Sequence, residues 1–538
     1  MYVFDEPACN DNQEVRDLVT DIHDNSLMMH LRQIKRRIFK SCLLILLVVW
    51  IYLSSILLKL NVKNMFTTKL EHNSKIPINS PEIIVSDRMT YLKLQEPSRL
   101  SKDSLFPKKS LELQNVVNKL KNKAEINDTA PTTLKYTETF DFFKDDFVIK
   151  DPYLNSWSSK KTVLCNGKFQ GYANLFVNWK NITIDPSKSR GAYGGEDVLQ
   201  VLKQKESSEL LNPMKGFFKA ECKLRPKYTF LKYLGNSGHL PTWLNVLSLT
   251  KVKKTEVVSN FTVFIPRNEY ANMYHSLNDI FNVFLLHIFF HKNPDDSMII
   301  FADGHPKGHI DGLWKMLFGN IVRVRHLKNP VHFSELIWSM SDRFSPLNLF
   351  DLKQVSYIDH FRTFVFKQYG IFPKPQPDCG NINILFIWRH DYLAHPRNPK
   401  GKITRKIRNE EELFNITKNN FPDLTFRSAD LAPLSIKEQL DLISKTDIII
   451  AMHGAGLVLE LFLPQTGGVI ELLPQTLKGF NKKQYDLFKV ITDRIPLHYL
   501  RWQNKDKANE VEDGYTYVPP VVVKTLLQQM LSNMCDIV

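Results

Sequence analysis

The sequence predicts an α/β protein of two Rossmann-like domains facing a cleft, preceded by a single transmembrane helix and a stem. Three observations carry this expectation. Short, continuous apolar runs alternate with helix-length segments between about residues 262 and 473, the rhythm of parallel strands buried on both faces. The uncharged stretch Ser41–Leu58 is about the minimum length for a membrane span. Near the C-terminus a strand-like run enters the glycine turn His453-Gly454-Ala455-Gly456 directly.

With 538 residues, 43% of them hydrophobic and 24% charged, the chain has globular composition, which excludes a wholly disordered or fibrous protein. Its net charge of +15 suits anionic partners. The apolar run SCLLILLVVWIYLSSILL follows a polar tail and does not end in small residues, so it reads as an uncleaved anchor rather than a signal peptide. Arg32, Lys35, Arg36, Arg37 and Lys40 precede it, and Lys59, Lys63 and Lys69 follow more thinly. The positive-inside rule then puts residues 1–40 in the cytosol, 41–58 in the membrane and the rest in the lumen, a single-pass type II topology. Residues 59–150, rich in lysine, serine and isolated prolines, read as a stem. That topology removes nucleic acid from the partners the charge would suit.

Sequons at Asn127, Asn181, Asn260 and Asn415 all fall on the lumenal side. Cys165, Cys222, Cys379 and Cys535 lie there too and can form up to two disulfides, with three pairings open. No CxxC or Cys/His cluster has zinc spacing, so no metal site is expected.

Two domains are expected in the globular part, 151–375 and 376–538. In the first, Thr262–Ile265 and Met298–Ala302 are strand-like, with a helical stretch from Tyr270 to His291 between them. In the second, Ile382–Trp388, Ile448–Met452 and Val469–Leu473 alternate with helical segments at Glu410–Lys418, Ile436–Lys445 and Leu457–Leu463. The proline-rich Phe372–Pro377 marks the crossover.

The turn His453–Gly456 frees the backbone to approach a ligand, and the amides opening the next helix would suit a diphosphate. The same pattern also serves a tight strand-to-helix turn around an internally bonded histidine. Glu471, in the next strand, is placed either to accept ribose hydroxyls or to cap a neighbouring helix. Arg389, Arg397, Arg405 and Lys406 cluster after the strand ending at Trp388, where guanidinium forks can hold phosphate oxygens. A solvated basic surface is the plainer reading for Lys400, Lys402 and Arg408. His275 and Asp279 are spaced i, i+4 on the predicted helix, so they project from one face, where such a pair is either a structural contact or a proton acceptor.

The segment MHGAGLVLELFLPQTGGVIELLP, Met452 to Pro474, resembles the signature of glycosyltransferase family 61. So do IWRHDYLAHPRNPKGKITRKIRNEEEL (Ile387–Leu413), CNGKFQGYANLFV (Cys165–Val177), EYANMYHSLND (Glu269–Asp279) and FADGH (Phe301–His305). The blocks are most similar to the plant-type N-glycan core β-1,2-xylosyltransferase branch, while the ending YDLFKVITDRIPLHYLRW (Tyr485–Trp502) is as similar to the EGF-domain O-GlcNAc transferase branch.

The resemblance implies a GT-B fold and an inverting transfer of xylose from UDP-xylose to the 2-hydroxyl of the core β-mannose of an N-glycan. It implies donor binding by Arg389, Arg397, Arg405, His453, Gly454, Ala455, Gly456 and Glu471. Asp279, His275 or Glu269 would supply the base, with Asn272 and Asp303 on the acceptor side. With no D-x-D triplet in the chain, no cofactor is expected beyond the donor. Golgi residence follows from the anchor and from the absence of a KDEL-type ending. The alternatives are an EGF-domain-type O-GlcNAc transferase using UDP-GlcNAc, or an inactive lumenal glycan-binding relative. If the anchor is uncleaved, an N-terminal tag stays on the cytosolic side while Asn181, Asn260 or Asn415 carries glycan; protease protection with endoglycosidase digestion reads both, and a cleaved, membrane-free product would defeat the topology.

Overall fold

The computed structural model describes residues 140–230, 238–251, 256–475 and 485–535, all within the unit Thr90–Val538. The anchor at 41–58, most of the stem, Asn127 and the cytosolic tail lie outside the described residues. Among the described residues no helix is long and apolar enough to cross a membrane.

The fold is mixed α/β, with two large sheets. The first has ten strands, and its central members are β1 (Phe176–Ile184), β2 (Thr262–Ile265), β3 (Met298–Phe301), β4 (Asn320–Arg323) and β5 (Val331–Trp338). They lie in the order β1-β5-β2-β3-β4, parallel except for the antiparallel pair β1 and β5. The apolar run of β2 is buried at every position, as a strand covered on both faces must be. A purely parallel rhythm was expected; the structure adds β1, β5 and the hairpin Lys161–Leu164/Phe169–Tyr172. The turn of that hairpin carries Cys165, Asn166 and Gly167 at positive φ.

The second sheet is wholly parallel. It comprises β6 (Asn383–Trp388), β7 (Thr425–Asp430), β8 (Ile448–Met452), β9 (Gly468–Leu473) and β10 (His498–Gln503), ordered β7-β6-β8-β9-β10. The order reverses between β6 and β8, and such a switch point opens a crevice beyond the carboxyl ends of the strands. Phe372–Pro377 leads from one sheet to the other, tied by Lys374 Nζ to Asp447 at 2.5 Å.

Helix α1 (Met273–Phe290) joins the two halves. Asn272 caps its start by accepting from Tyr274 N at 3.1 Å, and His291 ends it in the left-handed region at φ 52°. It is buried almost all round and packs against Ala455–Phe462, so apolar residues of both halves form one continuous core. Ala455–Phe462 is a 3₁₀ helix rather than the expected α-helix. Phe140, Phe142 and Phe143, inside the segment read as stem, are already packed in that core against Phe284 and Phe364.

The four cysteines after residue 150 pair as Cys165–Cys222 and Cys379–Cys535, with Cα separations of 4.8 and 5.7 Å. The second spans 156 residues and fixes the end of helix α2 (Pro520–Cys535) to the segment before β6. Asn181, Asn260 and Asn415 are exposed.

Glu460, in the 3₁₀ segment, is fully buried, and neither oxygen has a hydrogen-bond partner. Burial first, and then the charge of Glu471, push its carboxyl well above the usual range.

Two stability measurements follow. Serine at both Cys379 and Cys535 lowers the unfolding free energy by about 4 kcal/mol in denaturant titration; an unchanged midpoint would mean the cross-link is absent. The raised carboxyl of Glu460 contributes stability that is present below its unfolded pKa of about 4.3 and lost as pH rises towards the folded value. Glu460→Gln therefore gains on the wild type in melting temperature from about pH 5 to pH 8, and a gap that stays constant with pH would show that Glu460 is not held as an acid.

Candidate functional site

The crevice beyond β6 and β8 is lined by Arg389, Asp430 and Gly456 from the second half and by Ala271, Met273 and His309 from the first. Arg389 follows β6 directly, and its guanidinium lies against Gly454, the residue opening the turn after β8. A Cβ at Gly454 would stand 2.0 Å from Arg389 Nη1. A larger residue there would displace the guanidinium, whereas the backbone makes no demand for glycine, since φ at Gly454 is 173°, which any residue adopts. The amides of the turn and one arginine thus face the same space.

Four of the basic residues expected to gather here divide into two sets. Lys406 is buried, bonded to Asp391 Oδ1 at 2.8 Å and seated 4.1 Å from the Tyr515 ring centroid. Arg397 reaches Glu269 at 3.4 Å and Glu206 at 3.7 Å. Both are committed to protein carboxylates. Arg389 has a buried Nε with no hydrogen-bond partner and one long contact, Nη2 to Thr404 O at 3.5 Å, and burial lowers its pKa. Arg405, at φ 63°, is pushed down to about 10 by burial and by the charge of Arg389. Two half-buried cations thus stand close enough to repel each other, and the buried Nε of Arg389 has no hydrogen-bond partner.

His453 and Glu471 act on each other. His453 Nδ1 lies 2.6 Å from Glu471 Oε1, and the Tyr499 hydroxyl donates to Glu471 Oε2. Glu471 is fully buried, so its oxygens orient His453 and Tyr499, and in this structure it offers no surface to ribose. Neighbouring Phe488 packs on both the His453 and Tyr274 rings, at 5.1 and 6.0 Å, linking the turn to the start of α1.

The expected His275/Asp279 pair is not formed. His275 Nδ1 lies 2.6 Å from Asp342 Oδ2, in the turn Asp342–Phe344 after β5, while His275 itself is about one-third exposed. Asp279 is fully buried, and burial followed by the charge of Asp342 raises its pKa well above the usual range. Of two adjacent buried carboxyls, Asp279 is the one pushed toward its neutral form, and Asp342 is the one in contact with the imidazole. An i, i+4 spacing supplies a shared face but does not choose the rotamer, and Asp342, distant in sequence, carried no signal.

Glu269 accepts from Tyr270 N at 2.8 Å and Ala271 N at 3.2 Å. Burial alone would raise its pKa, but His395, those amides and Arg397 outweigh it and hold the carboxyl below its ordinary value. A depressed, fully engaged carboxylate is a poor proton acceptor; Glu269 instead ties the two halves together.

Asp303 is also committed, forming a two-point pair with Arg267 at 2.9 and 2.8 Å. Arg267 continues to Asp311 at 2.8 Å and stacks on Phe301 at 3.8 Å. His305 bridges Glu209 Oε2 and Arg267 O at 2.8 and 3.1 Å. The FADGH block is thus a buried ionic lock, and Asn272 is a helix cap.

Sequence reading also missed Asp430 and the partners of His390. His390 stands between Asp430 Oδ2 at 3.1 Å and Glu410 Oε2 at 2.8 Å. Burial lowers its pKa, but the two carboxylates outweigh burial and raise it. Among the described residues no three His, Cys, Asp or Glu side chains are grouped to hold a metal ion.

Residues 273–470 match the family Glycosyltransferase 61. A β-1,2-xylosyltransferase of Oryza sativa subsp. japonica is 25% identical over 315 residues, covering 51% of this chain and 59% of the relative. One from Arabidopsis thaliana is 23% identical over 352 residues, covering 52% and 65%. An EGF domain-specific O-linked N-acetylglucosamine transferase of Canis lupus familiaris is 24% identical over 362 residues, covering 64% and 62%. The chain therefore spans roughly three fifths of the length of these three relatives. Over residues 273–470 the chain thus matches the Glycosyltransferase 61 family model, and it is similar to the β-1,2-xylosyltransferases.

Proposed function

We propose that this protein is an inverting glycosyltransferase of GT-B architecture that moves xylose from UDP-xylose to the 2-hydroxyl of the core β-mannose of N-glycans, as a type II protein of the Golgi membrane. One observation carries the transferase reading: Arg389, whose buried Nε has no hydrogen-bond partner, meets the Gly454 turn at the switch point of a parallel sheet. The sugar and acceptor rest on similarity to the xylosyltransferases.

In this mechanism the diphosphate departs onto Arg389, Arg405 and the amides after Gly454, which neutralise the charge that develops as the glycosidic bond breaks. Xylose is α-linked in the donor, so a β-linked product requires one in-line attack. His275 takes the proton of the attacking hydroxyl through Nε2, because Nδ1 is held by Asp342. Asp279, fully buried and pushed toward its neutral form by burial and the charge of Asp342, does not meet the acceptor. The arginines supply the positive charge at the leaving group, so turnover persists in EDTA.

A second reading, transfer of GlcNAc from UDP-GlcNAc to EGF domains, is favoured by the Tyr485–Trp502 ending and by the similarity to the Canis enzyme. An inactive glycan-binding relative is the third.

A donor panel with the purified full-length protein, offered a biantennary N-glycan and folded EGF domains, separates the three. Xylose transfer to the N-glycan with a β-linkage is expected. GlcNAc transfer to EGF domains alone selects the second reading, and nucleotide binding without transfer selects the third. Arg389→Ala weakens UDP binding about tenfold or more. His275→Ala lowers turnover about 10²–10⁴-fold with UDP affinity kept, and near-wild-type turnover in that variant would remove His275 as the base.

A further inference from the structure

The acid ending β7 has no role in the mechanism above, yet it faces the same crevice. We infer that Asp430, held in place by His390, accepts the ribose hydroxyls of the donor nucleotide; this rests on the nucleotide-sugar reading of the site.

The argument begins with register. Asp430 is the last residue of β7 and is paired with Trp388, the last residue of β6, so it stands beside Arg389. Adjacent strands lie about 4.8 Å apart, which puts the backbone of Asp430 one strand spacing from Trp388, the residue before the arginine that meets the Gly454 turn. Asp430, Arg389 and Gly456 line one crevice. A carboxylate so close to an anion site is repelled by phosphate oxygens, so the ligand groups it suits are hydroxyl donors.

Its position along the sheet selects which hydroxyls. The strand ends run Asp430 on β7, Arg389 after β6, then His453 and Gly454 after β8, with Glu471 inside β9 next to them. Phe488 links His453 to Tyr274, beside His275 on α1. A nucleotide sugar laid with its diphosphate at the β6/β8 switch and its sugar toward α1 has its ribose over β7. Glu471, the acid inside the neighbouring β9, has both oxygens occupied and is fully buried.

Asp430 is also prepared for the task. Its Oδ1 accepts from Ala432 N at 3.0 Å, and its Oδ2 lies 3.1 Å from His390 Nδ1. His390 is anchored on its other side by Glu410 Oε2 at 2.8 Å. Each Asp430 oxygen keeps lone-pair capacity toward the crevice, and the orientation is fixed from outside the ligand. His390 is thus a positioning residue and Asp430 the binding residue. The arrangement is the one by which an acid at the end of the second strand of a nucleotide-binding sheet receives a ribose.

The test is calorimetric binding of UDP, 2′-deoxy-UDP and 3′-deoxy-UDP to the full-length wild type, Asp430→Asn and His390→Gln. Wild type is expected to bind at least one deoxy analogue about tenfold more weakly than UDP. Asp430→Asn brings the three ligands within about twofold of one another. His390→Gln, which keeps the carboxylate but not its anchor, gives intermediate discrimination, and this covers the case in which Asp430→Asn fails to fold. The inference is overturned if wild type binds all three equally, or if Asp430→Asn or His390→Gln retains full discrimination, as it would were Asp430 to contact the transferred sugar instead. If wild type binds none of the three, the nucleotide-sugar reading fails as well, a result distinct from the others.

Discussion

The packing of α1 against the 3₁₀ segment Ala455–Phe462 is the constraint on which the site depends. One side of that contact carries His275; the other continues directly from the Gly454 turn. Both surfaces are apolar and buried, so separating them would expose large aromatic and aliphatic side chains at about 25 cal/mol per Å². Their register fixes how far the imidazole stands from the crevice. Phe488, wedged between the Tyr274 and His453 rings, makes that spacing a matter of van der Waals packing, which tolerates little change in volume.

Around this core, charges are sorted by whether the protein answers them. Arg267, Lys406 and Arg397 each meet carboxylates, and Glu269, Glu471 and Asp303 are equally engaged. Arg389 keeps a buried donor without a partner. Burying charge without a counter-ion is unfavourable, so the place where a fold leaves cations unanswered is the place where it awaits an anion. Asp279 and Glu460 follow the opposite course: with no cation to pair them, burial and a neighbouring acid push both toward the neutral form.

What could be read in advance was what local composition dictates. The runs Ile448–Met452 and Thr262–Ile265 became strands at the expected bounds, because a β-branched stretch buried on both faces has one good solution. β7, with the sequence TFRSAD, was passed over. It is an edge strand, partly exposed along its length, and so lacks the apolar run that marks a central strand. Asp430, which it carries to the crevice, was invisible for the same reason. His275 was legible as a candidate, but its partner was not: Asp342 lies on another element and is brought close only by the packing of the first sheet.

The sequence by itself determined the alternation of strands and helix, the turn at His453–Gly456, the supply of basic residues after β6 and the resemblance to glycosyltransferase family 61. These depend on residues within a few positions of one another, where periodicity, backbone freedom and charge act locally. Only the tertiary structure decided that Lys406 is spent on Asp391 while Arg389 keeps a buried donor unpaired, which carboxylate holds His275, that Glu471 turns inward to His453, and how Cys165, Cys222, Cys379 and Cys535 pair. Each of those outcomes is a competition among side chains far apart in the chain. Burial and Coulomb energy settle such a competition only after the strands and helices have been brought together.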